Sequence, residues 1–464
     1  MARAAAKFNS SDWIPHLSGD ARKIHRDIAA ALAADIDAGV LKAGDEMPSQ
    51  RELADRLGIN FTTVTRAYQE ARERGLLVAR PGQGTFVRAS SGENHAAETM
   101  VDLTSNWPPP VPSQVLVGDA LKAVVAEKGE HAVEYRGGLL DPSYSEAGRR
   151  WLTPLFGHDV GDRLTVSAGS RGAFIAVMSD IVGAGGVMLA ETLTWPTVKA
   201  VVQILGISLH GVESDAEGLL PVALEEACRR YKPKALYCTP TAQNPTGATM
   251  SIKRRKAIGE VCRAHSVTII EDDAYGKLLS DPPPPIASLV PDAVIYVGGL
   301  AKTLAPGLRV AYVVCPNGEK ARHIGERMRL AMLVPPPVEA AVATRVIMSG
   351  AGDEILKEIK TEMRARHAVL KSCLGGADLS VCPGALHAFL RLPDSWPRAE
   401  FMSQLSSRGV RAASSDAFSI SPAKVPHAIR LAIGAPSTTA VLKQALQTIA
   451  DLKAGEPSFT SQVV

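Results

Sequence analysis

The chain has 464 residues, and at ~100–200 residues per domain this length corresponds to roughly two to four domains. Hydrophobic residues make up 46% of the chain and charged residues 21%, a composition that excludes an intrinsically disordered protein. The formal net charge of +3 is too small to indicate or exclude nucleic acid binding. Neither a membrane-spanning run of ~18 apolar residues nor a secretion signal is recognisable, so we expect a soluble, cytoplasmic protein.

The cysteines show no metal-binding or disulfide pattern. None of the six forms a CxxC pair, and most lie in apolar runs such as ALYCTP and AYVVCP. We therefore expect no metal site, and we predict buried, reduced thiols at these positions, which are Cys228, Cys238, Cys262, Cys315, Cys373 and Cys382.

The first segment, residues 1–88, has the pattern of short helices followed by a β ribbon. Apolar residues recur at every fourth position within residues 23–38, which is typical of one face of a helix. Ser49 and Glu52 form a predicted capping box that opens a second helix, and the glycine of DRLG ends it. A third helix is predicted over residues 62–74, and LLVARPGQGTFV predicts two strands joined by a glycine-containing turn.

Two short helices followed by a glycine-tipped hairpin are typical of a winged helix-turn-helix, whose second helix lies in the major groove of DNA. The start of that helix and the small glycines of the wing supply the candidate contacts to bases and phosphates, which are Asn60, Phe61, Thr62, Thr63, Arg66, Gly82 and Gly84. The alternative is a small helical packing unit without a DNA-binding role, since such units have the same element pattern.

The residues of this segment indicate its function more specifically than the order of its helices and strands does. They contain G-x-L-x-x-G-D-x-x-P-S-x-R-E-L-A, T-V-x-R-A-Y and G-x-G-T-F-V in that order, and the segment resembles the GntR family of bacterial repressors. The resemblance implies DNA contacts from Arg51, Thr62, Thr63, Arg66 and Gly84. Phe61 departs from the arginine of many relatives. Because phenylalanine cannot bond a guanine edge but can contact a thymine methyl, we expect a different base preference there.

Residues 89–100 (ASSGENHAAETM) are small and polar, which predicts a linker. After them, short β-branched runs alternate with amphipathic helices. This alternation predicts an α/β domain, with a mostly parallel sheet and helices on both faces. The strand candidates are LTVSAG, GGVMLAE, KALYCT, VTIIED, AVIYVGG and RVAYVVC. From about residue 340 the helices lengthen, and residues 340–455 are predicted to form a small α+β subdomain.

Several motifs of this second segment follow strand candidates and carry residues suited to a phosphorylated aromatic group. The run Gly169-Ser170-Arg171 follows a strand and opens a helix, whose N-terminus favours phosphate. Trp195 offers a flat indole that can stack on an aromatic ring. Asn244 follows another strand, where its amide can donate to a ring oxygen. The structural alternative for Trp195 is an ordinary core position.

Two further motifs carry ionisable groups. Asp272 and Tyr275 follow the strand VTIIED with a carboxylate and a phenol three residues apart. Lys302 follows the apolar strand AVIYVGG, and Arg309 lies seven residues beyond it. An acidic residue at a strand end is often only a cap, and most lysines lie on the surface, but these positions recur in order with the other motifs. We interpret Asp273 as such a structural cap.

Together these motifs resemble fold-type I aminotransferases of the aspartate aminotransferase family across residues 100–455. The resemblance implies the fold of the PLP-dependent transferases and pyridoxal 5′-phosphate (PLP) as the cofactor. It implies that Lys302 is the residue that bonds covalently to PLP. It also implies that Asp272 pairs with the protonated pyridine nitrogen, which keeps the ring an electron acceptor.

The same resemblance assigns the other residues of the site. Tyr275 and Asn244 donate to the ring oxygen O3′, Trp195 stacks on the ring, and Arg430 binds the α-carboxylate of an amino acid. The phosphate is held by the helix start and an arginine, namely Gly169, Ser170, Arg171 and Arg309. Gly299 replaces the serine that relatives commonly have, which removes one hydrogen bond worth about 1 kcal/mol.

A GntR-type reader joined by a linker to an aminotransferase-like domain is the arrangement of the MocR subfamily of regulators. The chain then divides into a DNA-binding domain (1–88), a linker (89–100) and an effector domain (101–455). The resemblance implies a PLP-dependent transcriptional regulator that binds operator DNA, senses an amino acid or amine, and forms a head-to-tail homodimer. The motif EDDAYG favours the branch that responds to taurine or to diaminobutyrate-type intermediates of ectoine breakdown.

Two other functions fit the same motifs. The positions that contact PLP are largely intact, so a catalytically active aminotransferase with an accessory DNA-binding domain is one alternative, which sustained turnover of α-keto acids would reveal. A repressor with a vestigial, cofactor-free domain is the other. A yellow preparation that loses its colour in Lys302→Ala excludes that alternative.

Overall fold

The computed structural model describes residues 13–15, 24–37, 40–42, 44–73, 76–80, 84–87, 100–129, 141–421 and 425–457. Contacts between residues divide the chain into two compact units, residues 1–99 and residues 100–464. Each unit has a hydrophobic core of its own.

The first unit consists, in its described residues, of three helices and a two-stranded ribbon. The helices are α1 (Ile24–Asp37), α2 (Gln50–Leu57) and α3 (Phe61–Glu73). The strands β1 (Leu77–Arg80) and β2 (Gly84–Val87) pair antiparallel. This order of elements is the predicted winged helix-turn-helix.

Local contacts set the ends of α2. The amide of Glu52 donates to Ser49 Oγ at 3.3 Å, and the amide of Ser49 donates to Glu52 Oε2 at 3.0 Å, which confirms the predicted capping box. Gly58 ends the helix in the left-handed region, with a φ of 62°. Asn60 Oδ1 then accepts from the amide of Thr62 at 2.9 Å, so α3 begins one residue earlier than predicted.

The second unit alternates strands and helices, as predicted. Its strands are β3 (Val101–Asp102), β4 (Leu164–Ser167), β5 (Val187–Glu191), β6 (Ser208–Val212), β7 (Ser214–Asp215), β8 (Gly218–Leu219), β9 (Ala235–Cys238), β10 (Thr268–Asp272), β11 (Val294–Gly299), β12 (Ala311–Val314), β13 (Leu379–Ser380), β14 (His387–Arg391), β15 (Val410–Arg411), β16 (Ala413–Ser414) and β17 (Ala428–Ala432). Its helices are α4 (Val115–Lys128), α5 (Pro142–Phe156), α6 (Gly169–Ile181), α7 (Pro196–Ile204), α8 (Pro221–Tyr231), α9 (Ile252–Ala264), α10 (Ile286–Leu289), α11 (Gly318–Leu330), α12 (Pro337–Met348), α13 (Ala351–Leu374), α14 (Arg398–Ser407) and α15 (Thr439–Ala454).

Seven strands of the described residues form a large sheet, in the order β4-β12-β11-β10-β9-β5-β6. Neighbouring strands are parallel, except that β12 runs antiparallel to both β11 and β4. The sheet contains all six predicted strands. The strand that was not predicted, β6, lies at the edge, where its residues are mostly exposed or half-buried. It therefore lacks the continuous apolar run of a strand buried on both faces.

Helices cover both faces of the large sheet, which confirms the prediction of a two-sided sheet. Successive residues of a strand point to opposite faces. In β10, Ile269 therefore packs in a core with α5, α9 and α12, while Ile270 packs in a second core with α6, α7 and α11. This arrangement leaves the carboxyl ends of the parallel strands, where ligands commonly bind, to be lined by loops.

A smaller antiparallel sheet lies in the C-terminal part of the second unit, with the strand order β13-β14-β17-β16. Helices α13 and α15 pack against each other beside it, which gives this part the predicted α+β character. The strand β3 pairs with β15, and the amide of Ala432 donates to the carbonyl oxygen of Leu103 at 2.9 Å. The segment directly after the predicted linker is therefore attached to the C-terminal part.

The six cysteines are free thiols. Five are buried as predicted, whereas Cys373 on α13 is half-buried. Within the described ranges, no cluster of His, Cys, Asp or Glu residues is suited to hold a metal ion. The helices of those ranges include none that is long and apolar enough to cross a membrane.

Candidate cofactor pocket and DNA-binding face

A cavity of about 300 Å³ lies at the carboxyl ends of the strands of the large sheet. All residues predicted to contact the cofactor or its amino acid ligand line it, namely Gly169, Ser170, Arg171, Trp195, Asn244, Asp272, Tyr275, Lys302, Arg309 and Arg430. The fold thus brings motifs that are far apart in the sequence into one place. The volume is at the lower end of the ~300–1,000 Å³ of ordinary ligand pockets.

One part of the cavity is shaped for a phosphate. Helix α6 begins at Gly169 directly after β4, so the free amides of its first turn face this part of the cavity. Gly169 has a φ of +71°, a conformation that favours glycine. A Cβ at this position lies 3.2 Å from Arg309 Nη2, so the guanidinium packs closely against the bare backbone. The positive charge of Arg309 and the free amides make this part of the cavity suited to bind an anion.

The glycine at position 299, where relatives commonly have serine, has a steric reason. A Cβ at this position lies 2.5 Å from the hydroxyl oxygen of Ser170, and real Cβ atoms do not approach an oxygen so closely. The Ser170 hydroxyl therefore occupies the space that a serine at position 299 needs. Ser170 and Arg309 remain as side chains for the phosphate.

A buried carboxyl group forms another part of the cavity. Asp272 ends β10, and its Oδ2 accepts a hydrogen bond of 2.5 Å from the hydroxyl of Tyr237 on the neighbouring strand β9. Burial raises the pKa of Asp272 to about 7. The hydrogen bond from Tyr237 lowers it, the neighbouring Asp273 raises it, and Lys302 lowers it. A cation close to Asp272, such as a protonated pyridine nitrogen, stabilises the ionised carboxylate.

Lys302 lies on a short 3-10 turn that follows β11. Its Nζ donates to the carbonyl oxygen of Asn106 and lies 3.9 Å from the centroid of the Trp107 ring. Burial lowers the pKa of Lys302 to about 7, and the nearby cations Arg430 and Arg309 act in the same direction. A large share of this amine is therefore neutral at neutral pH, and the neutral amine is the form that attacks a carbonyl carbon.

The phenol of Tyr275 belongs to a chain of hydrogen bonds. Asn106 Nδ2 donates to Tyr275 Oη at 2.9 Å and to His387 Nδ1 at 3.2 Å. His387 Nε2 lies 3.0 Å from the carbonyl oxygen of Gln243 and carries the ring proton, since a carbonyl oxygen can only accept. Burial lowers the pKa of His387 to about 3, so the imidazole is neutral.

Arg430 on β17 brings a buried positive charge to the cavity. Only 5% of its surface is exposed, and its Nη2 donates to the carbonyl oxygen of Thr104 at 2.6 Å. Its Cζ lies 5.4 Å from the centroid of the Phe418 ring. Among the described residues, neither Nε nor Nη1 has a hydrogen-bond partner. Burial lowers the pKa of Arg430 to about 10, which leaves the group charged at neutral pH.

The predicted DNA contacts lie on the outer side of the first unit. The inner side of α3 is buried in the core, whereas its start, α2 and the beginning of β2 carry the exposed candidates Arg51, Thr62, Arg66 and Gly84. Thr63 is half-buried. Phe61 is 44% exposed at the first position of α3, where it is accessible to a thymine methyl. Gly82, predicted for the wing, lies outside the described residues.

The fold also adds residues that the sequence patterns do not mark. Asn106 and Trp107 come from the segment that follows the linker, and Phe418 comes from the loop after β16. No local motif indicates Asn106, because its partners Tyr275 and His387 lie 169 and 281 positions away. A contact to the carboxylate of Asp272 could have been indicated by the alternation of side chains along the strand ALYC. This alternation places Tyr237 on the same face of the sheet as Asp272.

Two family models match the chain. The model for aminotransferase class I and II matches residues 98–449. The chain belongs to the aminotransferase class I and II family. The model for bacterial regulatory proteins of the gntR family matches residues 24–87, ahead of the aminotransferase domain.

Regulators of transcription are similar to the chain over most of its length. The HTH-type transcriptional regulator YdeF of Bacillus subtilis is 27% identical over 444 residues, which are 94% of this chain and 96% of that protein. The HTH-type pyridoxine biosynthesis transcriptional regulator PdxR of Corynebacterium glutamicum is 27% identical over 391 residues, 80% of this chain and 83% of that protein. An archaeal alanine:glyoxylate aminotransferase superposes with a TM-score of 0.70 at 23% identity, over 76% of this chain and 90% of that chain, which shows the shared fold.

The chain therefore joins a GntR helix-turn-helix domain to an aminotransferase class I and II domain. This is the MocR-type architecture, and the chain is a PLP-type transcriptional regulator of that type. The helix-turn-helix domain implies DNA binding.

The aminotransferase domain implies PLP as the cofactor, and the cavity fits it. It offers a helix start with Arg309 for a phosphate, a carboxylate for a ring nitrogen and the amine of Lys302. Buried polar atoms of Asn244 and Arg430 have no hydrogen-bond partner within the described part of the chain. Because buried polar atoms are normally paired, the groups of a molecule bound in this cavity can complete the hydrogen bonding of these atoms.

Proposed function

We propose that this chain is a transcriptional regulator that binds PLP at Lys302 and senses an amino compound with an anionic group. Arg430 carries the proposal. It is a buried guanidinium in the same cavity as Lys302, and its Nε and Nη1 have no partner among the described residues. The phosphate of PLP is already matched by Arg309 and the start of α6. The second buried arginine therefore supports a second, anionic ligand beside the cofactor.

When bound, PLP supplies an aldehyde that bonds to amines and a ring that withdraws electrons. In this proposal Lys302 supplies the neutral amine for the bond, and Asp272 holds the proton on the pyridine nitrogen. Tyr275 and Asn244 donate to the ring oxygen O3′, and Trp195 covers one face of the ring. The phosphate is bound by the backbone amides of Gly169, Ser170 and Arg171 at the start of α6 and by the side chains of Ser170 and Arg309.

The segment that follows the linker supports a route from the ligand to the DNA-binding domain. Arg430 holds the carbonyl oxygen of Thr104, and Lys302 holds the carbonyl oxygen of Asn106. A ligand that engages Arg430 and the PLP at Lys302 competes with these carbonyl groups, so the free and liganded forms hold the segment differently. Differential contact of this kind shifts a two-state equilibrium. The segment is continuous with the linker, and we infer that the linker transmits the shift.

The first unit supplies DNA recognition in this proposal. The exposed start of α3 enters the major groove, and Arg51 and Gly84 contact the backbone. We propose a head-to-tail homodimer, because aminotransferase sites of this fold are completed across a dimer interface. Two recognition helices then contact half-sites separated by about 34 Å or a multiple of it. A regulator of this kind acts on DNA in the cytoplasm.

A mobility-shift titration tests the sensing role. The probe is the intergenic DNA next to the protein's own gene, and the additions are PLP alone and PLP with the common amino acids, taurine, 4-aminobutyrate or diaminobutyrate. We expect one amine to change the dissociation constant for DNA by at least about fivefold. Arg430→Met should bind the DNA normally but lose that response. DNA binding that no amine alters would contradict the sensing role.

An active aminotransferase is the second candidate, favoured by the lowered pKa of Lys302 and by the full set of side chains around the cavity. Incubating the PLP-loaded protein with amino acid and α-keto acid pairs distinguishes the two functions. Sustained turnover that Lys302→Ala abolishes would establish the enzyme. A single equivalent of keto acid, without turnover, fits a sensor that reacts once with its ligand.

A further inference from the structure

Tyr237 is in contact with Asp272, and the functions above give it no role. It lies on β9 opposite Ile270 of β10, and Asp272 follows Ile270 by two positions, so the side chains project from the same face of the sheet. The hydroxyl of Tyr237 donates to Asp272 Oδ2 at 2.5 Å. The residue is fully buried, and it is absent from the described residues that line the cavity.

We propose that Tyr237 is a positioning residue for the cofactor: its hydroxyl holds Asp272 through Oδ2, which leaves Oδ1 available to the pyridine nitrogen and favours the ionised carboxylate. Tyr237 acts through Asp272 and does not touch the ligand. The inference rests on the proposed PLP site and extends it, because it names a hydrogen bond that favours the ionised form of a carboxylate in so buried a position.

The proton of this hydrogen bond belongs to Tyr237. Burial raises the pKa of Tyr237 well above 10, so the phenol stays an O–H donor. Burial raises the pKa of Asp272 to about 7, and the donated hydrogen bond opposes that effect because it stabilises the ionised form. The other titratable groups that act on Asp272 are Asp273, Glu191, Lys302, Tyr275 and Tyr296. Without the hydroxyl, a larger share of Asp272 is protonated at neutral pH.

Aromatic packing fixes the direction of the hydroxyl. The ring of Phe174 on α6 meets the ring of Tyr237 edge to face, with 5.5 Å between centroids and 78° between planes. Phe174 also meets Trp195, the residue predicted to stack on the cofactor, at 6.2 Å and 66°. Because the Tyr237 ring is fully buried between such neighbours, it cannot rotate its hydroxyl away from Asp272 without repacking the core.

A buried tyrosine in a sheet is usually a core residue, and the chain offers a control for that reading. Tyr296 lies on β11, is also fully buried, and donates its hydroxyl to Asp273 Oδ2 at 3.1 Å. Its ring packs edge to face on Phe156 at 5.0 Å. Tyr296 therefore matches Tyr237 in burial, ring packing and a carboxylate partner, but its partner does not line the cavity.

The experiment compares Tyr237→Phe with Tyr296→Phe in the full-length protein. Each change removes one buried hydroxyl and keeps the ring, so the losses in thermal stability should be similar. PLP affinity is measured by absorbance and fluorescence titration from about pH 6 to about pH 9, which spans the titration of Asp272. Thermal unfolding of the cofactor-free proteins confirms that each variant is folded.

We expect Tyr237→Phe to weaken PLP binding by about tenfold at neutral pH. The pH below which affinity falls should also rise by about one unit, because Asp272 must be ionised to pair with the protonated pyridine nitrogen and accept its hydrogen bond. Tyr296→Phe should stay within about threefold of the wild type at each pH. Lys302 titrates in the same pH range, but it contributes equally to the pH dependence of PLP binding in both variants. Coinciding profiles for the two variants would overturn the proposal.

A second comparison separates positioning from a general structural effect. In Asp272→Asn the side chain cannot ionise, so adding Tyr237→Phe should change PLP affinity by less than about twofold if Tyr237 acts through Asp272. An equal tenfold loss in both backgrounds would overturn the inference. Failure of the wild type to bind PLP would overturn the proposed function and this inference together. Normal wild-type binding with no effect of Tyr237→Phe would overturn the inference alone.

Discussion

Replacing Arg430 by methionine should leave the stability of the cofactor-free protein nearly unchanged, although a buried charge is removed. Burial lowers the pKa of Arg430 from its ordinary value to about 10. At ~1.4 kcal/mol for each pKa unit, keeping the guanidinium charged in the folded state costs about 3 kcal/mol. Because the pKa is lower in the folded state than in the unfolded state, this cost applies in full below pH ~10 and disappears with the charge.

Removing this cost increases the stability of the folded state, but the loss of two contacts opposes the increase. The carbonyl oxygen of Thr104 loses a hydrogen bond from a charged donor, worth ~1.5–3 kcal/mol. The ring of Phe418 loses a cation–π contact, worth ~0.5–1 kcal/mol. Methionine is flexible enough to fill the space of the Arg430 side chain. The free energy of unfolding should therefore change by no more than about 1 kcal/mol in either direction.

Arg366 is the matched control, because only 1% of its surface is exposed but its guanidinium is hydrogen-bonded. Its Nη1 donates to the carbonyl oxygens of Ile433, Gly434 and Pro436 at 3.1, 2.9 and 2.8 Å. Its Nε donates to Glu362 Oε1 at 2.8 Å. Methionine at this position leaves these acceptors without their donor, and the expected loss of stability is about 3–5 kcal/mol.

Urea and thermal unfolding of the purified full-length proteins without PLP measure the comparison. We expect the unfolding midpoint of Arg430→Met to lie close to that of the wild type, whereas the midpoint of Arg366→Met should fall sharply. Equal losses of several kcal/mol in both variants would contradict this expectation. Arg430 would then be an engaged structural residue and not a cation kept for an anionic ligand.

Three further changes test the remaining assignments. Arg51→Ala should weaken operator binding by about tenfold in a mobility-shift assay without altering the absorbance of bound PLP; loss of both properties would make Arg51 structural. Gly299→Ser should weaken PLP binding in a fluorescence titration, because its Cβ lies 2.5 Å from the Ser170 hydroxyl; an unchanged affinity would show that the hydroxyl can move aside. Asp272→Ala should lose PLP during dialysis, and a retained, unaltered spectrum would remove Asp272 from the site.

Features determined by neighbouring residues in the chain were predictable from the sequence. Ser49 and Glu52 cap α2 through contacts only three residues apart, so their order in the chain suffices. Apart from β6, the strands of the large sheet are buried on both faces, which requires continuous apolar runs that are recognisable without coordinates. The strand β6 lacks such a run because it lies at the sheet edge.

Features assembled from distant residues were not predictable. Asn106 is an ordinary loop asparagine in the sequence, and only the fold brings it to Tyr275 and His387. Tyr237 lies in an apolar strand, where an aromatic residue is expected whether or not its hydroxyl has a partner. Gly299 was recognisable as a departure from relatives, but its cause is the position of a side chain that packs against it from α6.

Mass spectrometry after borohydride reduction tests most directly whether the amine of Lys302 bonds to PLP. Full-length protein is incubated with PLP, reduced and digested, and Lys277 serves as the internal control because burial lowers its pKa to about 8 outside the cavity. We expect the peptide containing Lys302 to gain the mass of one phosphopyridoxyl group while the peptide containing Lys277 does not. An unmodified Lys302, or equal modification of both lysines, would contradict the assignment of Lys302 as the residue that bonds to PLP.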